Sequence, residues 1–147
     1  MSSNHTPAPA TASTGMFSNV VRPRPAAAAE ALAHFQRLMQ FETDCWDVHY
    51  ALNNGLQDFV LLDVRAVAIA KKGYIAGAQL LPYNDITETA LSHFANDTVF
   101  VVYCAGPHCN ATEKAAIKLA KLGRPVKKMI GGVTGWLDEG FTLSSDL

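Results

Sequence analysis

One stretch constrains this chain more than any other. Thr98-Val99-Phe100-Val101-Val102-Tyr103 runs directly into Cys104-Ala105-Gly106-Pro107-His108-Cys109-Asn110, and a helical repeat follows as far as Leu122. The first six residues are β-branched, aromatic or both in alternation, which predicts a strand. In the helical repeat Glu113, Lys114, Lys118 and Lys121 fall on one face, and Ala115, Ala116, Leu119 and Leu122 on the other. Gly123 and Pro125 then supply a stop signal. A strand that hands a cysteine to a short loop opening on a helix belongs to α/β architecture. In open α/β sheets, ligands bind at the carboxyl ends of the strands, where Cys104 is expected.

Three effects should converge on that cysteine. Amides of the loop and of the first helical turn can cradle an anion. The positive helix end favours thiolate over thiol. Gly106 lets the loop turn tightly with no Cβ in the way. The bland alternative is a buried, inert thiol, the common fate of free cysteine. The order of strand, cysteine, loop and helix favours the reactive reading.

The flanking sequence fits a parallel sheet. Pro25 suits a first helical turn, and Ala29, Leu32, Phe35 and Leu38/Met39 recur at helical spacing through Gln40. Asp44 is a candidate N-cap for a helix over 45–52, ended by Asn53-Asn54-Gly55. The run over 59–64 is apolar on both sides, as a central parallel strand should be. Residues 78–81 and 125–130 predict two more strands, 88–95 a helix, and the segment after Gly131-Gly132 a short helix around Trp136. The expected class is α/β, a parallel sheet of about five strands with helices on both faces and right-handed crossovers.

Composition excludes several functions. The formal net charge of -1 gives no electrostatic reason to expect nucleic acid or a membrane surface as partner. No run approaches the roughly 18 apolar residues of a membrane span. Three cysteines, Cys45, Cys104 and Cys109, are too few and odd in number for a disulfide framework, and suit a reducing, cytoplasmic setting. Residues 1–25 are rich in Ser, Thr, Pro and Ala and predict a disordered tail ahead of a single domain over 26–147. That tail lacks the pattern of a secretory signal. Arg22 and Arg24 with no acid before Glu30 make it only a weak match to an organelle transit peptide.

Four groups of residues, in order, carry a resemblance: Leu62-Asp63-Val64-Arg65, Gly73-Tyr74-Ile75-Ala76-Gly77-Ala78, Val101-Val102-Tyr103-Cys104, and Gly131-Gly132-Val133-Thr134-Gly135-Trp136 with Gly140. Over roughly residues 40–143 the chain resembles rhodanese-like domains. The resemblance implies the rhodanese α/β fold and double-displacement sulfur transfer. Cys104 would take a sulfane sulfur from thiosulfate or a persulfide and pass it to a thiophilic acceptor. It implies no metal or organic cofactor, a small sulfur donor or persulfide-bearing protein as partner, and Asp63 and Arg65 as supports of the loop and its neighbourhood. For those two residues, a surface ion pair of little worth is the plain alternative.

The departures concern the donor. Tyr74 stands where the family usually has His, and Cys109 where many thiosulfate-handling members have Arg. Residues 104–110 contain no Lys or Arg, so His108 is the loop's sole candidate cation, whereas a dianion calls for fixed positive charge. The Cys-x-Gly-Pro-x-Cys-Asn form is similar to a subset of rhodanese-like domains. Phosphatases and arsenate reductases of related architecture clamp their oxyanion with Arg; position 110 is Asn and the next Arg is Arg124, which argues against that class.

Other residues read two ways. Cys109 is either a thiol that resolves a persulfide or sulfenate on Cys104, or a small apolar residue packing the first helical turn, the commoner case. His108 either helps bind an anionic donor or faces solvent. Trp136, and Cys45 with Trp46, read as packing. The histidines at 5, 34, 49, 93 and 108 show no ligand spacing, so no metal is expected. Three functions remain: a sulfurtransferase cradling its anion with the amides of 105–110, a non-enzymatic persulfide carrier or redox sensor using Cys104 and Cys109, and an interaction domain with a spent site.

Overall fold

The computed structural model describes residues 15–145. They fall into two compact units, one ending at His34 and one beginning at Phe35. In the first, Asn19–Val21 forms a single 3-10 turn, and α1 (Ala28–Phe41) begins. Much of the tail expected over 1–25 lies outside the described residues. Pro25 precedes α1 instead of opening it.

The second unit holds the sheet. After α1 come β1 (Glu42–Thr43), α2 (Cys45–Asn53), β2 (Val60–Asp63), α3 (Val67–Ala70), β3 (Gln79–Leu80), β4 (Phe100–Tyr103), α4 (Ala111–Lys121), β5 (Val126–Met129) and α5 (Gly132–Asp138). The five strands lie in the order β1-β5-β4-β2-β3, and every pairing is parallel. The most β-prone run, β4, takes the centre, with all four of its residues buried. Asp44 caps α2 as its position suggests, its carboxylate accepting the Asp47 amide at 2.8 Å.

Alternation along β2 and β4 divides the interior into two layers. Leu62, Val64, Phe100, Val102 and Cys104 pack against Ala111, Ala115 and Leu119 of α4. Leu61, Val101 and Tyr103 face the other way, toward Cys45 and Val48 of α2 and Trp136 of α5. Helices thus cover both faces, as α/β patterning requires. The consequence for function is that Cys104 leaves the central strand pointing toward α4.

Three elements differ from the sequence reading, one of them α3, a four-residue helix too short to show a helical repeat. The short edge strand β1 has too few residues to leave a periodic signal. The helix expected over 88–95 is instead a chain of turns. Thr87 Oγ1 accepts the Ala90 amide at 3.1 Å, and Ser92 Oγ donates to the Thr89 carbonyl at 2.8 Å. Such side chains compete with helical hydrogen bonding. The Arg124 guanidinium completes the competition, donating to the carbonyls of Leu91, Phe94 and Ala95 at 3.0, 3.3 and 2.7 Å.

Candidate active site

Cys104 lies one residue past the end of β4, 2% exposed, on the wall of a cleft of about 550 Å³. The loop that follows is held by α5. The Val133 amide donates to the Cys104 carbonyl at 2.9 Å, and the Thr134 amide and hydroxyl donate to the Ala105 carbonyl at 3.0 and 3.1 Å. Those carbonyls are thereby committed to α5. This arrangement needs Gly132, whose φ is +57°; a Cβ there would stand 2.4 Å from the Cys104 carbonyl oxygen and 2.8 Å from the Gly106 nitrogen. A turn from the Gly106 carbonyl to the Cys109 amide, 3.0 Å, closes the loop ahead of α4.

The surroundings of the sulfur differ from the cradle expected of residues 105–110. The backbone amides of Gly106 and Thr112 favour a negative sulfur. The Cys109 carbonyl favours a protonated one, accepting the Cys104 thiol at 3.3 Å, and the Gly106 carbonyl lies 3.9 Å away. The cradle therefore mixes donors and acceptors, and in this conformation it suits a protonated sulfur. Burial, then the neighbouring Cys109 thiol, push Cys104 above the ordinary thiol value, against the two amides. Cys109 goes the other way: burial opposes its ionisation, but the Ala111 amide and the Cys104 thiol outweigh it and hold Cys109 below that value. The thiolate preference predicted for Cys104 is thus opposed by its burial and by the Cys109 thiol, while Cys109 is shifted the other way.

The other predicted residues divide. Gly106, Pro107 and Cys109 line the cleft with Cys104; Ala105, His108 and Asn110 are not among its lining residues, and His108 and Asn110 are exposed. Asp63 is fully buried and bound to Arg65 by paired contacts of 2.9 and 2.6 Å, while Arg65 Nη2 donates to the Gly73 carbonyl at 2.7 Å. Their hydrogen bonds join β2 to the turn at Gly73 and stop short of the loop. Asp63 is the register partner of Tyr103, whose hydroxyl accepts the Ile75 amide at 3.0 Å. The surface-pair reading is replaced by a buried brace beneath the strand that carries Cys104. Trp136 is core, its indole donating to the Thr142 carbonyl at 2.9 Å.

The far wall of the cleft was invisible in the sequence. Cys45 at the start of α2 lines it, its thiol directed at the Ile130 and Gly132 carbonyls at 3.4 and 3.7 Å. Burial first, then the charges of Asp44 and Glu139, push that thiol up to about 11. Thr112, Glu113 and Lys128 also contribute. These positions meet because parallel strands deliver their carboxyl ends, and the helices that follow, to one edge. Among the described residues no group of acidic, His and Cys side chains is arranged to hold a metal ion, and no helix is long and apolar enough to cross a membrane.

A family model described as Rhodanese-like domain matches residues 47–139. No curated protein matches the chain. Among solved structures, the BH2092 protein from Bacillus halodurans is similar at 33% identity over 80% of this chain and 86% of that one, with a TM-score of 0.77. The rhodanese-like domain of the Alr3790 protein from Anabaena is similar at 28% identity, covering 70% of this chain and 77% of that one, with a TM-score of 0.63. A thiosulfate sulfurtransferase from Pseudomonas aeruginosa shares the fold, at 22% identity and a TM-score of 0.61, over 80% of this chain and 22% of that one.

Proposed function

The chain belongs to the rhodanese-like domain family, and on that premise we propose that it is a sulfurtransferase that carries sulfur as a persulfide on Cys104. The observation that carries this reading is the position of Cys104, at the carboxyl end of the central strand and on the wall of the cleft. Residues 105–110 form the binding loop, and Asp63 with Arg65 stiffens the strand behind it.

The reaction is a double displacement. Cys104 loses its proton, and the thiolate attacks the sulfane sulfur of a thiosulfate or persulfide donor. The donor's S–S bond breaks and its electron pair leaves with sulfite or a thiolate. An acceptor nucleophile then takes the outer sulfur and returns the electron pair to Cys104. The first step requires the thiol to give up the Cys109 carbonyl, after which the Gly106 and Thr112 amides stabilise the negative sulfur. No metal or organic cofactor enters either step. The partners are a small sulfur donor or a persulfide-bearing protein, and we assign the reaction to the cytoplasm.

Turnover tests the reading. Thiocyanate formation from cyanide and a persulfide donor is expected for the wild type and is expected to fall to the uncatalysed level in Cys104→Ser. Equal rates in both proteins would refute it. A second reading, a persulfide carrier or thiol sensor without turnover, is favoured by one observation: Cys104 and Cys109 share the loop, with the Cys104 thiol hydrogen-bonded to the Cys109 backbone. Stable loading of Cys104 without thiocyanate formation would support that alternative.

A further inference from the structure

The chemistry of the cleft at Cys104 is set by the charges around it as well as by its thiols. Among the described residues three carboxylates line the cleft: Asp44, Glu113 and Glu139. Lys128 is the one cation among the described lining residues, and its charge is already engaged, 2.7 Å from Glu113 Oε1 and 3.7 Å from Glu42 Oε1. Pairing Lys128 with Glu113 leaves Asp44 and Glu139, both exposed, without a cationic side-chain partner among the described residues. Both line the same cleft as Cys104 and Cys45, and after burial both raise the Cys45 thiol on its far wall. The Asp44 carboxylate is fixed by its cap to the Asp47 amide, and Glu139 follows directly on α5. These charges belong to the frame of the cleft, at the ends of two helices.

Such a cleft repels an oxyanion. Thiosulfate carries two negative charges and would meet two carboxylates that have no cationic partner, with no free lysine or arginine among the described lining residues to receive it. A donor with an ammonium group near its sulfur meets attraction instead.

We propose that the cleft selects sulfane-sulfur donors bearing a positive charge close to the sulfur, of the aminoalkyl persulfide class, over thiosulfate and over persulfides bearing a carboxylate. This rests on the reading of Cys104 as the sulfur carrier. The ammonium group of the donor lies toward Asp44 and Glu139 while its terminal sulfur meets Cys104. The Cys104 thiolate bonds to that terminal sulfur, the donor's S–S bond breaks, and the aminothiolate leaves and takes a proton from water. The Cys104 thiol and the aminoalkyl persulfide thus become the Cys104 persulfide and the aminothiol, with no external oxidant or reductant.

The test is the rate of Cys104 persulfide formation, read by intact mass, with four donors: the persulfides of cysteamine, 2-mercaptoethanol and 3-mercaptopropionate, and thiosulfate. The cationic persulfide is expected to load about tenfold faster than the anionic one at low salt, with the neutral one between them. The ratio is expected to shrink as ionic strength rises, because exposed charges are screened. In Glu139→Gln and in Asp44→Asn, which still offers a capping oxygen to α2, the ratio of cationic to neutral rates is expected to fall; in Glu139→Lys it is expected to drop below one. Each variant is its own reference, so a loss of overall reactivity does not enter the ratio. Equal loading by all persulfides, or faster loading by thiosulfate, would overturn the charge selection while leaving sulfur transfer intact. Absence of loading by every donor would overturn the sulfur-carrier reading on which it rests.

Discussion

At Gly132 the backbone of α5 approaches the Cys104 carbonyl so closely that a Cβ would stand 2.4 Å away, in a conformation with positive φ. Both the contact and the φ penalise a side chain. Gly132→Ala is expected to cost about 2 kcal/mol or more in urea unfolding and to displace the loop that carries the thiol. Wild-type stability would contradict this account of the loop. Cys109 gives a second test. Its thiol is, after burial, the main influence raising Cys104, so Cys109→Ala is expected to move the pH profile of Cys104 alkylation downward. Alkylation rises with pH as thiolate forms, so the variant should react faster than wild type near neutrality. An unchanged or upward-shifted profile, followed on the Cys104 peptide, would contradict it. Asp63 supplies the third: Asp63→Asn breaks a buried, bidentate pair and is expected to cost about 3–5 kcal/mol, against almost none for a surface pair. At this scale the place of Cys104 after the central strand and of Gly106 in the turn that follows was legible, because local order suffices to predict it. The role of Cys45 was not, because its contacts lie with Ile130 and Gly132, far along the chain.

Elements were legible where periodicity and end signals agree. The α4 helix has a charged face, an apolar face and a Gly-Pro stop, and it forms over Ala111–Lys121. Its buried face is Ala111, Thr112, Ala115 and Leu119, while Ile117 and Leu122 are left outside. The segment over 88–95 shows how such reading fails. Its composition permits a helix, but Arg124 arrives from beyond α4 and takes the carbonyls at Leu91, Phe94 and Ala95. A distant guanidinium leaves no mark in the local sequence. Arg124→Leu is accordingly expected to lower stability by about 2 kcal/mol, the order of cost of leaving buried acceptors without donors. It is also expected to speed amide hydrogen exchange over 88–95 more than over β4. Uniform exchange at the wild-type rate would show that the turns hold without Arg124.

Across the molecule, the class of the sheet could be read from alternation of strands and helices, but its order could not. The sequence β1-β5-β4-β2-β3 brings the ends of β4 and β5 and the start of α2 to one edge, and the cleft exists only through that juxtaposition. A net charge of -1 likewise conceals a cleft whose described lining residues carry three carboxylates and one lysine. The central claim is that Cys104, in this cleft, receives sulfur. Its most direct test is the intact mass of the full chain after incubation with thiosulfate and, separately, with a low-molecular-weight persulfide, for wild type and Cys104→Ser. The account predicts a gain of one sulfur with the persulfide, absent in Cys104→Ser and reversed by cyanide. The same gain in Cys104→Ser, or none in the wild type with either donor, would contradict it.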